Sequence, residues 1–302
     1  MRILLLGIHY PFAIMSYFRH ALERRPDVEL VTAGVFTNDW IPWNGGMRLP
    51  QKYVKSVDLP FPPAILRPTW GMIEKRLGSD FDLIINCDAG SHLADKPPIP
   101  YAVVLTDPHV LESWYKQVRP HADYVFNMQT NYMQDGDIHL PYAFSPDHHY
   151  AMSDIEKGYD ASMIGLHYEQ RDRLVNALRG RGHKVLYEIG LVYDDYREQN
   201  NRARIGLNWS SAMDINARFF ETMAMRQILV TNRLPHISEL HYEENRHYLG
   251  FDTLEEAVEK VEWALANPEQ AQTIADNGYQ LVHQNDTYHH RVQQILEATG
   301  LL

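Results

Sequence analysis

Short, almost wholly apolar runs alternate along the chain with segments whose apolar residues recur every three or four positions. Ile3–Gly7, Val28–Val35, Phe81–Cys87, Tyr101–Thr106 and Tyr124–Met128 are runs of the first kind. Runs this apolar predict parallel strands covered on both faces, since a half-exposed strand would alternate. Ala13–Arg24 has helical spacing and fills the first connection. Between residues 140 and 160 the pattern breaks at Pro141, Pro146 and a charged stretch, and then restarts. Asp160–Gly165, Lys184–Gly190, Ile205–Asn208 and Ile228–Thr231 predict strands, and Glu169–Arg179 and Asn216–Met225 predict helices. Thr253 with Glu256 three residues on is a capping box, and Leu254, Ala257, Val258, Val261 and Leu265 follow it at helical spacing. Asn267–Pro268 then caps and starts a last long helix. Two successive strand–helix series predict an α/β chain of two doubly wound, Rossmann-like domains facing a cleft. The expected division is residues 1–145 and 146–302, with the terminal helix packing back on the first domain.

Composition narrows this reading. The chain has 302 residues, a 45% hydrophobic content and a formal net charge of −11. Such a charge gives no global attraction for nucleic acid or an anionic membrane, although a local basic pocket for one diphosphate remains compatible with it. Cys87 is the only cysteine, so neither an intrachain disulfide nor a cysteine zinc cluster can form. The opening MRILLLGIHYP is too short for a membrane span and reads as a buried first strand, so a cytoplasmic protein is expected. The chain carries 16 histidines, but the pairs His148–His149 and His289–His290 lack chelating spacing, and no metal site is expected. Asn38–Pro68, rich in Pro, Gly and aromatic residues, is expected to form part of an acceptor wall. Its rings could stack on a sugar or base, or pack the segment onto its domain.

The segment from Asn208 to Ala224 carries the clearest chemistry. A helix starting near Asp214 would set Asp214, Arg218 and Glu221 on one face and send Phe219, Phe220, Met223 and Ala224 to the core. Its N-terminal N–H groups and Arg218 would then form an anion site, and Glu221 could accept hydrogen bonds from ribose hydroxyls. Arg218 and Glu221 read equally as an i,i+3 ion pair on a wet face, worth a few tenths of a kcal/mol. Gly165, after a strand, would let the backbone approach a phosphate, with Arg171 one helical turn beyond it. Gly7 has no further glycines near it, so a G-x-G-x-x-G dinucleotide loop is absent and hydride transfer is disfavoured.

The blocks Asn216-Ala-Arg-Phe-Phe-Glu-Thr-Met-Ala, Ile228-Leu-Val-Thr-Asn-Arg-Leu-Pro, Glu239-Leu and His283-Gln-Asn-Asp-Thr-Tyr-His-His-Arg occur in that order. Together with Leu140-Pro-Tyr-Ala-Phe-Ser-Pro and Tyr159-Asp-Ala-Ser-Met-Ile-Gly, they resemble the donor domain of CgeB-like, group 1 glycosyltransferases. The resemblance spans roughly Leu140 to Leu296. It implies a GT-B fold, a nucleoside diphosphate sugar as co-substrate, uracil as the base, and no catalytic metal or other cofactor. It also implies that Glu221 binds the donor ribose and Arg218 the diphosphate, with Asn216 in the same block. Two positions depart from the family. Arg226 replaces the usual glycine after the helix, at about 1 kcal/mol if the turn is left-handed, and so becomes a second phosphate candidate. Met213, with Asp214 beside it, stands where many retaining relatives carry a sugar-binding glutamate.

The first domain offers acceptor-side groups at its strand ends, where ligands of parallel sheets bind. Asp88 follows Phe81–Cys87, Asp107 and His109 follow Tyr101–Thr106, and His9 and Tyr10 follow the first strand. Asp107, His109 and Asp88 are the candidates for a base that takes the acceptor hydroxyl proton. Asp107 equally suits an Asp-Pro turn or helix cap. The expected function is transfer of a sugar from a nucleoside diphosphate sugar, most simply a UDP-sugar, to an acceptor. The alternatives on the same fold are a nucleotide-sugar epimerase or hydrolase, and a non-catalytic nucleotide-sugar binding protein. A DNA base as acceptor is opposed by the negative charge.

Overall fold

A computed structural model of the chain describes residues 1–9, 13–36, 40–41, 47–48, 67–87 and 91–302. The chain forms two compact units. The first joins Met1–Pro141 to Tyr288–Leu302, and the second is Tyr142–Thr287. The expected boundary at 145/146 compares with a first crossing at Pro141/Tyr142. The chain crosses again at Thr287/Tyr288, which gives the terminal helix to the first unit. Most of Asn38–Pro68, and with it the expected acceptor wall, lies outside the described residues.

The first unit contains β1 (Arg2–His9), α1 (Ile14–Glu23), β2 (Glu29–Phe36), the short β3 (Trp40–Ile41) and β4 (Met47–Arg48), α2 (Trp70–Leu77) and β5 (Leu83–Cys87). It continues with β6 (Tyr101–Leu105), α3 (Pro108–Val118), β7 (Tyr124–Asn127) and β8 (Ile138–His139). Six strands pair in the order β2-β1-β5-β6-β7-β8, every pair parallel. All five residues of β5 and all five of β6 are buried, as strands covered on both faces must be. Sequence patterning did not single out α2 or α3. Thr69 caps α2 by accepting from the Met72 N–H, and Pro108 opens α3 at a position where its missing N–H costs nothing.

The second unit contains β9 (Tyr159–Ile164), α4 (Glu169–Gly180), β10 (Val185–Glu188), α5 (Tyr193–Asn201), β11 (Ala203–Asn208), α6 (Ala217–Ala224) and β12 (Ile228–Asn232). It closes with β13 (Leu249–Phe251), α7 (Leu254–Ala266) and α8 (Pro268–Asn285). The five strands run parallel in the order β10-β9-β11-β12-β13. The order reverses at β9, so the crevice outside the carboxyl ends of β9 and β11 is the topological switch point. Met163, Leu174, Leu178, Ile205, Leu207, Val230, Phe251, Val258 and Val261 pack one core on this sheet. The Thr253 hydroxyl caps α7 by accepting from the Glu256 N–H at 3.1 Å. Glu256 reaches back to the Asp252 N–H at 2.8 Å rather than to that of Thr253, so the reciprocal half of the box is shifted by one residue.

In the first unit the last helix, α9 (Tyr288–Ala298), lies on α1. The Tyr288 ring stacks on Tyr17 at 5.2 Å and meets Phe18 edge-on at 5.3 Å. Arg291, almost fully buried, donates from Nε to the Pro141 carbonyl at 2.8 Å.

Candidate functional site

Two glycines build the switch point of the second unit. A Cβ on Gly206, in β11, would lie 2.1 Å from Thr222 Cγ2, so only glycine lets α6 settle this close to the strand. Gly165 follows β9 at φ 147°, and a Cβ there would lie 2.1 Å from Arg218 Nη2 and 3.8 Å from Arg171 Nη1. The volume a side chain would fill is therefore taken by guanidinium groups.

Arg218, in the first turn of α6, donates from Nε to the Ile164 carbonyl at 3.1 Å and from Nη1 to Asn208 Oδ1 at 3.2 Å. Arg171, in α4 and buried, donates from Nε to the Trp209 carbonyl at 2.9 Å and from Nη1 to the Leu166 carbonyl at 2.8 Å. Among the described residues neither guanidinium has a carboxylate salt-bridge partner. Burial, and next the Arg218 charge, push Arg171 down to about 9. Two like charges half out of water are costly unless something anionic joins them. Asp214 partly offsets the Arg171 charge from nearby.

The N-terminus of α6 faces the same place. Asn216 is its N-cap but makes no side-chain cap bond. Its Nδ2 donates to Asn208 Oδ1 at 3.2 Å, and its Oδ1 is buried without a donor among the described residues. Asn208 is oriented in turn by its own Nδ2, which donates to Thr231 Oγ1 at 3.1 Å. Asp214 departs from the expectation. The helix begins at Ala217 and not near Asp214, because the Ser210 hydroxyl claims the preceding turn. Ser210 Oγ donates to Asp214 Oδ1 and accepts from the Asp214 N–H at 3.0 Å, with Met213 left-handed at φ 55°.

Glu221 lies one turn into α6 and is 9% exposed. It forms no ion pair with Arg218. Its Oε2 accepts from the Tyr196 hydroxyl at 2.7 Å, and its Oε1 faces His149 Nε2 at 3.5 Å. Burial raises its pKa above the ordinary 4.5, against the opposing Tyr196 hydrogen bond and Arg218 charge. Arg226 is not brought to this cluster. It sits past the C-terminal end of α6, left-handed at φ 58°, with its guanidinium on Asp276 at 2.7 and 3.0 Å.

In the first unit, Asp107 and His109 both lie just past the carboxyl end of β6, at the start of α3. Asp107 is the N-cap of α3, held left-handed at φ 42° without a side-chain cap bond, and its carbonyl accepts from the Val110 and Leu111 N–H groups. The His109 ring lies 5.7 Å from that of Tyr132, and its buried Nδ1 has no hydrogen-bond partner among the described residues. Asp88 and Tyr10 lie outside the described residues, as does the side chain of His9. Among the described residues no three His, Cys, Asp or Glu side chains gather as metal ligands, and no helix is long and apolar enough to cross a membrane.

Asn208, Tyr196 and His149 were not singled out from the sequence. Asn208 ends a strand beside the switch point, which is a usable signal. Tyr196 and His149 have none, since they reach Glu221 only through the fold.

Residues 150–297 match the family described as glycosyl transferase-like. They form a glycosyltransferase domain. No curated protein matches the chain in sequence. The glycosyltransferase resembles HepE from Anabaena, solved with UDP and glucose, at a TM-score of 0.70 and 14% identity over 100% of both chains. It resembles sucrose-phosphate synthase from Thermosynechococcus elongatus at a TM-score of 0.63 and 12% identity over 98% of each chain. A glycosyltransferase from Rickettsia africae ESF-5 gives a TM-score of 0.63 at 9% identity over 99% of this chain and 97% of that one. These likenesses establish the fold as GT-B, with two parallel-sheet domains.

Proposed function

We propose that this glycosyltransferase takes its sugar from a UDP-sugar and needs no metal to do so. The observation that carries this is the pair of guanidinium groups, Arg171 and Arg218, meeting beside Gly165 with no carboxylate salt-bridge partner among the described residues. A diphosphate bound there would meet both charges, the first N–H groups of α6 and the Asn216 amide. Arginines of this kind can carry the charge that builds on a leaving diphosphate, the role a divalent cation fills elsewhere. Glu221 takes the ribose hydroxyls. The choice of uracil draws on HepE, solved with UDP and with UDP-glucose. Asp107, His109 and Asp88 are the groups from which the acceptor base is drawn.

Calorimetry with UDP, GDP, ADP and dTDP tests the donor. UDP is expected to bind with the highest affinity, and binding by none of the four overturns the nucleotide-sugar reading. Labelled UDP-sugar offered with and without acceptor extracts separates transfer from hydrolysis or epimerisation. Release of free sugar at the same rate in both would remove transfer.

A further inference from the structure

We propose that Tyr196 and His149 are positioning residues that fix the Glu221 carboxylate for two vicinal hydroxyls and so make the site selective for ribonucleotides over 2′-deoxyribonucleotides. This rests on the reading of Glu221 as the ribose acceptor. A free glutamate carboxylate turns about its last bond, and whatever it binds must first stop that rotation. Glu221 is stopped already, because each of its oxygens faces a separate donor, the Tyr196 hydroxyl at 2.7 Å and His149 Nε2 at 3.5 Å. Each oxygen has two lone pairs, so one on each is left for an incoming hydroxyl.

The donors are themselves held. The Ser145 N–H donates to His149 Nδ1 at 3.1 Å, which puts the proton of the neutral ring on Nε2, toward Glu221. His149 is 1% exposed, and burial pushes it down to about 3, so it faces Glu221 as a neutral N–H and leaves the carboxylate its charge. Tyr196 stands on α5, where Asn200 Nδ2 donates to its carbonyl at 2.9 Å, and its ring meets that of His149 edge-on at 5.8 Å. Burial and the neighbouring carboxylate raise its hydroxyl well above 10, so the proton stays on Tyr196 and is donated. A donor with one hydroxyl fewer would leave one prepared lone pair without a partner, and a site built this way rejects such an analogue strongly.

The test compares the affinities of the full chain for UDP and 2′-deoxy-UDP by calorimetry, in wild type, Glu221→Gln, Tyr196→Phe, His149→Asn and His149→Gln. Asparagine keeps an acceptor for the Ser145 N–H but has nothing at the Nε2 position, whereas glutamine can restore a donor there. Wild type is expected to prefer UDP by about 10- to 100-fold. Tyr196→Phe and His149→Asn should each lose most of that preference while pyrophosphate still competes as it does in wild type, and His149→Gln should regain part of it. A wild type that does not discriminate, or a Glu221→Gln variant that binds UDP normally, removes the ribose reading itself. Discrimination in wild type that persists undiminished in both Tyr196→Phe and His149→Asn overturns the positioning roles alone. Lowered thermal stability with unchanged discrimination marks either residue as structural and also overturns its role.

Discussion

Glu221 is a buried carboxylate whose folded pKa is raised, so the native state holds its proton more tightly than the unfolded chain does. Between the ordinary 4.5 and the raised value, stability therefore falls as pH rises, because keeping this residue charged works against the fold. Glu221→Gln removes that slope. The variant is expected to melt no lower than wild type at pH 7, yet to bind UDP about 10- to 100-fold more weakly, since an ionised acceptor outperforms an amide. Melting curves at pH 5 and pH 7 with calorimetry check both halves, and a variant that melts several degrees lower while binding normally would make Glu221 structural. For Arg218 the expectation concerns rate. Full turnover should persist in excess chelator, and Arg218→Ala should lose roughly 2–4 kcal/mol of transition-state stabilisation, the scale of a lost oxyanion donor. Turnover that vanishes in chelator and returns with magnesium or manganese would refute this. The sequence made Arg218 and Glu221 legible because both lie on one short helix. Their partners were not, because Ile164, Asn208, Tyr196 and His149 come from four other segments and meet only across the sheet.

The helix α6 depends on what lies beneath it and at its end. Gly206→Ala would drive a methyl group into Thr222 Cγ2, and in a packed interior this is expected to cost about 1–3 kcal/mol. Adding Thr222→Ser, which removes that methyl, should recover part of the loss in a double-mutant cycle of urea melts. At the other end, the Arg226 N–H donates to the Met223 carbonyl at 2.9 Å and the Gln227 N–H to the Thr222 carbonyl at 3.3 Å. This is the Schellman closure, built on a left-handed arginine where glycine is usual. Arg226→Gly should leave UDP affinity unchanged, since the side chain serves Asp276. It should alter stability by no more than about 1 kcal/mol, as relief of the left-handed strain offsets a lost surface pair. The buried strands were readable as unbroken apolar runs. α5 was not, because its sequence YDDYREQNN has no apolar periodicity and it is held by polar contacts, such as the Asn201 amide on the Tyr150 carbonyl at 3.1 Å. The start of α6 agrees with the helix read over Asn216–Met225, whereas the earlier start near Asp214 fails, since the Ser210–Asp214 turn competes with helix through its side chains.

At the scale of the molecule, two strand–helix series were visible as two parallel-sheet units, because each repeats the same alternation. The second crossing of the chain is less legible from periodicity, since α8 and α9 are separated only by Asp286 and Thr287. The role of α9 in the first unit can be measured. Removing residues 288–302 takes away the Tyr288 stack on Tyr17 and leaves the Pro141 carbonyl without its Arg291 donor. Amide exchange in α1 should then rise several-fold, while UDP binding, whose proposed contacts Arg171, Asn216, Arg218 and Glu221 lie in Tyr142–Thr287, should persist. Equal loosening of both units would contradict this. The same division of the chain sets an order on synthesis. The second unit is one unbroken stretch and can fold as soon as it has left the ribosome, whereas the first, begun earlier, stays unfinished until residues 288–302 emerge. In the interval the apolar face of α1, with Phe18 and Tyr17, has no α9 to cover it. Of the two units, the one begun earlier along this sequence is therefore the one completed later.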